Sequence, residues 1–179
     1  MTNGLTEIRW HARAGQGAKT ASQLLALSLL RAGKSVQAFP EYGPERRGAP
    51  LRAFTRVSDR PIRRHDTIEE PDLVVVLEPS LVHEVDVADG LEPDGLVLVN
   101  AEETPPELAG VAVRCIPASR LAAGHGSGFV NLVMVGAAGA ALGEPPLQDL
   151  QDAAAELLGK KTDVAAVREA VAEGYRWPS

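Results

Sequence analysis

The spacing of hydrophobic residues predicts two kinds of β-strand. Residues 51–57 alternate between apolar and more polar side chains, which is the period-two pattern of a strand with one wetter face. Residues 73–77 are all apolar, as in a strand buried on both faces of a parallel sheet. Residues 96–99 and 111–116 repeat this second pattern. The chain therefore contains both buried strands and a strand that meets a polar environment.

Between the strands, the composition predicts helices. Residues 18–32 combine apolar positions with good helix formers, and Gly33 stands where a helix stop is expected. Residues 129–142 form a helix of small side chains in which Gly136 and Gly139 allow close helix packing. The last elements are a helix pair at residues 147–158 and 163–175, with Asp163 as the N-cap of the second helix.

Strands interleaved with helices predict an α/β fold, namely a Rossmann-like, mostly parallel sheet flanked by helices, with a C-terminal helix pair. Further strands are expected at residues 5–11 and 35–39. The strand at residues 51–57 follows the second of these without an intervening helix, so part of the sheet is expected to be antiparallel. With no repeat and no linker, residues 1–179 are predicted to form a single domain.

Composition narrows the function classes. The net charge is -6, so the chain has no excess of basic residues with which to bind nucleic acid non-specifically. The single cysteine, Cys115, excludes an internal disulfide framework and a cysteine-rich metal or iron–sulfur site within this chain. Neither a signal peptide nor an apolar run of about 20 residues is visible. We therefore expect a cytoplasmic protein without membrane insertion.

Two segments carry most of the candidate chemistry. In the first, a strand enters a helix through Gly15, Gln16 and Gly17, where exposed backbone N–H groups and the helix N-terminus favour an anion. Arg13 and Lys19 add positive charge, so this turn is a candidate phosphate site. The alternative is a tight turn whose glycines serve packing only. His11, just before the turn, is expected to shape it rather than to act as an acid or base.

The second segment is residues 37–50, in which prolines and glycines prescribe the backbone path around several charged side chains. It contains carboxylates and guanidiniums but no nucleophile, so docking of a partner subunit is favoured over catalysis. The alternative is a rigid surface loop with solvated charges. The residues predicted to form the interface are Glu41, Tyr42, Glu45, Arg46 and Arg47.

Together the two segments resemble the gamma subunit, or gamma domain, of the 2-oxoacid:ferredoxin oxidoreductases, of which pyruvate:ferredoxin oxidoreductase is a member. The family pattern has glycines where this chain has Ala12 and Ala14, and their Cβ atoms weaken the phosphate interpretation. The resemblance covers nearly the whole chain. It is carried by residues 11–17, 33–34, 42–48 (Tyr-Gly-Pro-Glu-Arg-Arg-Gly), 71–81 and 131–137.

The resemblance implies an enzyme that oxidatively decarboxylates a 2-oxoacid to an acyl-coenzyme A (acyl-CoA) and passes electrons to ferredoxin, or to NAD in some relatives. It implies alpha, beta and ferredoxin-like delta subunits as partners, which would hold thiamine diphosphate, magnesium and [4Fe-4S] clusters. This chain would be an accessory subunit, inactive alone, with no catalytic residue and no metal. Its share of the CoA site would be Arg13, Gly15, Gln16, Gly17 and Lys19.

Two other functions stay open at the level of sequence. One is a free-standing Rossmann-like enzyme that binds a nucleotide or a phosphate. The other is a purely structural subunit that binds no small molecule. The identity of the 2-oxoacid is also left open, because the resemblance places the substrate pocket mainly in other subunits. It could be pyruvate, 2-oxoglutarate, a branched-chain or an aryl 2-oxoacid.

Overall fold

A six-stranded sheet forms the centre of the molecule. It is seen in a computed structural model that describes residues 4–41, 48–159 and 162–178. The strands are β1 (Leu5–Arg13), β2 (Ser35–Pro40), β3 (Pro50–Ser58), β4 (Leu73–Val76), β5 (Leu96–Asn100) and β6 (Val113–Ile116). The helices are α1 (Ala18–Arg31), α2 (Ala118–Ala122), α3 (Val130–Leu142), α4 (Leu147–Leu158) and α5 (Val164–Arg176).

The strand order is β2-β3-β1-β4-β5-β6. The pairs β1–β4, β4–β5 and β5–β6 are parallel, whereas β3 runs antiparallel to both of its neighbours. The predicted mixed, mostly parallel sheet is thereby confirmed. After β1, the next strands along the chain, β2 and β3, lie toward one edge of the sheet, whereas β4, β5 and β6 lie toward the other edge. The strand order therefore reverses between β1 and β4.

One face of the sheet packs against the helices. In β1 the side chains of Ile8, Trp10 and Ala12 are fully buried on this face, in a cluster that includes apolar residues of α1 and α3. Trp10 also donates its indole N–H to the Thr55 hydroxyl at 3.0 Å, which satisfies its one polar group. This face supplies the larger of the two apolar clusters.

The opposite face changes from apolar to charged across the sheet. On β4 and β5 it presents buried valines to the short segments that follow those strands. On β1 and β3 it presents Glu7, Arg9, His11 and Arg56, all buried. Arg56 is fully buried and donates to the Glu7 carboxylate at 2.6 Å. The predicted polar face of β3 is confirmed: Arg56 on this face lies in a buried ionic layer, whereas Arg52 stays partly exposed.

Helices α3 and α5 cross at close range. A Cβ on Gly136 would lie 2.0 Å from the Val171 carbonyl oxygen, and one on Gly174 would lie 1.8 Å from the Val133 carbonyl oxygen. The predicted role of Gly136 in close packing is confirmed. Asp163 caps α5, since its carboxylate accepts from the Ala165 N–H at 3.0 Å, as predicted.

Candidate functional site

A pocket of about 400 Å³ lies at the carboxyl ends of the parallel strands. It sits where the strand order reverses, which is the place where open α/β sheets bind ligands. The volume is within the usual range of small-molecule sites. Its described lining comes from the loops after β1 and β4, the end of β5, and the starts of α2 and α3. The residues are Gly15, Gln16, Leu77, Glu78, Pro79, Asn100, Ser119, Gly128 and Val130.

Hydrogen bonds within the turn, and contacts with α3, fix the turn from β1 into α1. The Gln16 side-chain oxygen accepts from the backbone N–H of Arg13 at 2.7 Å. Gly17 has a φ of 82°, and a Cβ there would lie 2.5 Å from Asn131 Nδ2. Asn131 Nδ2 in turn donates to the Gly17 carbonyl at 3.4 Å. Gly17 is therefore required by both its backbone conformation and the close approach of α3.

Glu78 places a carboxylate in the pocket. Gln16 Nε2 donates to Glu78 Oε2 at 2.6 Å, and the Ser80 hydroxyl donates to Oε1 at 2.8 Å. Burial favours the neutral acid, but the hydrogen bonds from Gln16 and Ser80, aided by the Arg13 charge, outweigh burial and hold the pKa of Glu78 below its usual value. The pocket therefore contains an ionised carboxylate at neutral pH.

Asn100 forms the floor beside α2. Its Nδ2 donates to the Leu77 carbonyl and to the Ser119 hydroxyl, both at 2.9 Å, and its Oδ1 accepts from the Ser119 N–H at 3.0 Å. These bonds tie the ends of β4 and β5 to α2. They leave the Ser119 hydroxyl hydrogen as a donor that can serve a ligand.

The predicted site residues separate into two groups. Gly15 and Gln16 line the pocket, and Gly17 follows them as the N-cap of α1. Arg13 instead braces the turn, donating to the Gly48 carbonyl at 3.2 Å, to the Ser80 hydroxyl at 2.9 Å and to Glu84. Lys19 is exposed on the first turn of α1 and is absent from the described lining.

His11 lies within β1, buried among cations. Its Nε2 accepts from Arg9 Nε at 3.1 Å. Burial, together with repulsion from Arg9 and Arg52, lowers the pKa of His11 to about 3. The neutral imidazole accepts from a guanidinium within β1, so the role of His11 in shaping the turn stays a prediction.

The described residues contain no group of three or more His, Cys, Asp or Glu side chains able to hold a metal ion. Among them, no helix has the length and apolar composition required to cross a membrane.

The family follows from comparison with known sequences. A model of the family described as pyruvate ferredoxin/flavodoxin oxidoreductase matches residues 7–177. The chain belongs to this family. The match covers every helix and all the strands except the first residues of β1, so the fold and the pocket described above are those of a pyruvate ferredoxin/flavodoxin oxidoreductase family member.

Named relatives assign the chain to one kind of subunit in this oxidoreductase family. The pyruvate/ketoisovalerate oxidoreductases common subunit gamma of Thermococcus kodakarensis is 44% identical over 177 residues, which cover 90% of this chain and 94% of that protein. Pyruvate synthase subunit PorC of Thermotoga maritima is 58% identical over 94 residues, which cover 52% of this chain and 48% of that protein. The predicted resemblance to the gamma subunit of 2-oxoacid:ferredoxin oxidoreductases is confirmed.

Solved structures of oxidoreductase subunits agree. The crystal structure of the pyruvate oxidoreductase subunit PORC from Thermotoga maritima superposes with a TM-score of 0.83 at 36% identity, covering 97% of this chain and 96% of that one. A 2-oxoglutarate:ferredoxin oxidoreductase from Magnetococcus marinus has a TM-score of 0.78 at 20% identity and covers 96% of this chain but 30% of that one. The second likeness shows the fold alone.

The predicted interface of this oxidoreductase subunit falls mostly outside the described residues, which exclude Tyr42, Glu45, Arg46 and Arg47. Glu41 is described. Its carboxylate forms two hydrogen bonds with Arg52, one of them from Nε at 2.8 Å, and Arg52 holds the pKa of Glu41 below its usual value. Glu41 therefore has an internal partner on β3, and its role in docking stays a prediction.

Glu78, Asn100 and Ser119 were missed as pocket residues from sequence. Glu78 closely follows the buried run 73–77, and Asn100 directly follows the run 96–99. Polar residues at the carboxyl ends of two predicted parallel strands were the signal that could have found them, because such ends share one edge of a sheet.

Proposed function

We propose that this chain is the gamma subunit of a pyruvate-type 2-oxoacid:acceptor oxidoreductase and that its pocket binds CoA. The observation that carries the proposal is the position of the pocket, between the turn after β1 and the N-terminus of α3, at the reversal of strand order. Family membership supplies the reaction class, and the pocket supplies a place for the one reactant that these decarboxylases acylate.

The subunit is accessory to the chemistry. Catalysis by an acid, base or nucleophile requires an activated group in the pocket. In the described lining, the Glu78 carboxylate is held by Gln16 and Ser80, and the Ser119 hydroxyl contacts the Asn100 amide, which cannot take its proton. Thiamine diphosphate, magnesium and [4Fe-4S] clusters then belong to alpha, beta and ferredoxin-like delta subunits, which pass electrons to ferredoxin or NAD. The Thermococcus relative is named as a gamma subunit common to pyruvate and ketoisovalerate oxidoreductases. A gamma subunit shared by enzymes for two different 2-oxoacids favours substrate selection by the other subunits.

The test fills the pocket in the assembled complex. Val130, the first residue of α3, lines the pocket and is partly exposed, so Val130→Trp places an indole in it. We expect the KM for CoA to rise by about tenfold or more, while the KM for the 2-oxoacid changes by less than about twofold. Val164→Trp is the matched control, since Val164 is the exposed first residue of α5 and is absent from the described lining.

Equal effects of Val130→Trp on both substrates, or no effect on either in a complex that still assembles, would show that CoA does not use this pocket. The subunit would then be purely structural, or the CoA site would lie elsewhere in the complex.

A further inference from the structure

The described lining of the pocket carries a negative charge. Glu78 is the only charged residue in the described lining, and its carboxylate is ionised. Arg13 is directed to Glu84, Ser80 and the Gly48 carbonyl, and Lys19 is exposed on α1. A phosphate beside Glu78 would therefore meet like charge without a neutralising side chain from the described lining, and like charges at contact distance repel strongly in a partly buried site.

The pocket also has acceptors to spare. A carboxylate has about four acceptor positions. The Ser80 N–H and hydroxyl use two on Glu78 Oε1, and Gln16 uses one on Oε2. Beside the pocket, the buried Asn131 Oδ1 has no hydrogen-bond partner among the described residues. Unused acceptors in a half-buried site favour a ligand that brings N–H or O–H donors.

The remaining lining suits uncharged groups. Leu77, Pro79 and Val130 are apolar, and Gly15 and Gly128 expose backbone. The Asn100 amide forms its hydrogen bonds with Leu77 and Ser119. It therefore fixes the floor of the pocket and has no N–H left to bind an anion.

We infer that the pocket takes an uncharged, donor-bearing part of CoA, with Glu78 accepting a hydrogen bond from it, while the phosphates stay outside. This inference rests on the proposed function, because it concerns the orientation of the same ligand in the same pocket. The donor is either a hydroxyl or amino group of the nucleoside or an amide N–H of the pantetheine arm. Glu78 is then a specificity-determining residue for the acyl acceptor.

The test removes the charge at Glu78 in the assembled complex. Glu78→Gln is nearly isosteric, and it takes away a charged acceptor. We expect the KM for CoA to rise about tenfold with the KM for the 2-oxoacid unchanged, since a hydrogen bond to a charged group is worth at least that factor. Glu103→Gln is the control, because Glu103 is exposed and lies outside the described lining. Glu78→Asp keeps the charge but withdraws the acceptor, and should also raise the KM for CoA.

The sign of the effect decides between the two orientations. If phosphates lie against Glu78, Glu78→Gln relieves repulsion and lowers the KM for CoA, which would overturn the inference. An unchanged KM would also overturn it. If Val130→Trp weakens CoA but Glu78→Gln does not, the proposed function stands and only this inference fails.

Two probes identify the donor. Pantetheine, used as the acyl acceptor, lacks the nucleotide, and adenosine diphosphate, used as a competitive inhibitor of CoA, lacks the pantetheine arm. Weaker use of pantetheine by the Glu78→Gln complex assigns the contact to an amide of the arm. Weaker inhibition by adenosine diphosphate assigns it to the nucleoside. If neither probe responds, the inference is wrong.

Discussion

Gly17 shows why a single residue in the β1–α1 turn cannot be interpreted from the turn alone. Glycine is required at position 17 because φ is 82° and because Asn131, 114 residues later in the chain, occupies the space of a Cβ. Any substitution of Gly17 would therefore disturb the contact between α1 and α3 as well as any ligand. Val130 and Glu78 are cleaner probes of the pocket because their side chains line it directly.

His11 should make the stability of the subunit depend on pH. Its pKa is about 3 in the fold against 6.5 for a free imidazole, so the unfolded chain binds the proton first. The contribution of neutral His11 is complete above pH 6.5. It is lost as the pH falls toward 3, by up to about 1.4 kcal/mol per pH unit. Chemical denaturation of the purified chain at pH 7 and pH 5 measures this loss.

The variant His11→Gln should flatten that pH dependence, because glutamine does not titrate. His65→Gln is the matched control, since His65 is exposed. An identical pH profile for the wild-type chain and His11→Gln would show that the protonation of His11 is not coupled to unfolding.

At the scale of elements, the contact between α3 and α5 depends on glycines whose absent side chains let two backbones meet. Gly174 costs α5 about 1 kcal/mol of helix propensity relative to alanine. It is tolerated because the Val133 carbonyl occupies the position of a Cβ, at 1.8 Å. The close crossing thereby brings the apolar faces of both helices into one core cluster.

We expect Gly174→Ala to lower the free energy of unfolding by about 2 kcal/mol, because the collision outweighs the gain in helix propensity. Gly124→Ala is the control, since nothing lies within 4 Å of its Cβ position, and it should change stability by less than about 0.5 kcal/mol. Denaturant midpoints of the two variants give the comparison. Equal midpoints would mean that the crossing relaxes without cost.

At the scale of the whole molecule, the fold concentrates its candidate chemistry on one edge. The pocket, the start of α1 and the start of α3 lie at the carboxyl ends of the parallel strands. Ala49, next to β3, is tied to the β1–α1 turn, because the Ala14 N–H donates to the Ala49 carbonyl at 2.9 Å. The described residue Ala49, near the predicted docking segment, therefore contacts the turn that supplies Gly15 and Gln16 to the pocket.

We therefore expect the double variant Arg46→Ala and Arg47→Ala to weaken assembly with the alpha and beta subunits, because it removes two guanidiniums suited to interface carboxylates. Native mass spectrometry of the co-expressed subunits measures the intact fraction. The control replaces Arg60 and Arg63, which are both exposed, by alanine. An intact complex of unchanged stability would argue against the docking role.

The sequence by itself determined the type and order of the main strands and helices, because side-chain period and helix-stop residues report local backbone geometry. It also determined the family, through residues 11–17, 42–48 and 71–81. The alternation in β3 gave a polar face, but it could not say that Glu7 on β1 would neutralise Arg56 there, because partners 49 residues apart meet only when the sheet forms.

The pocket was decided by the tertiary structure. Its lining joins residues from the ends of three strands and the starts of two helices, and only strand order and register bring these to one edge. In the folded chain Arg13 is paired with Glu84, and Glu78 lines the pocket. The sequence had predicted positively charged residues at this site, whereas the charged residue in the described lining is negative. Local sequence fixes which groups are available, whereas packing fixes which of them face the ligand, because direction and burial are properties of the whole fold.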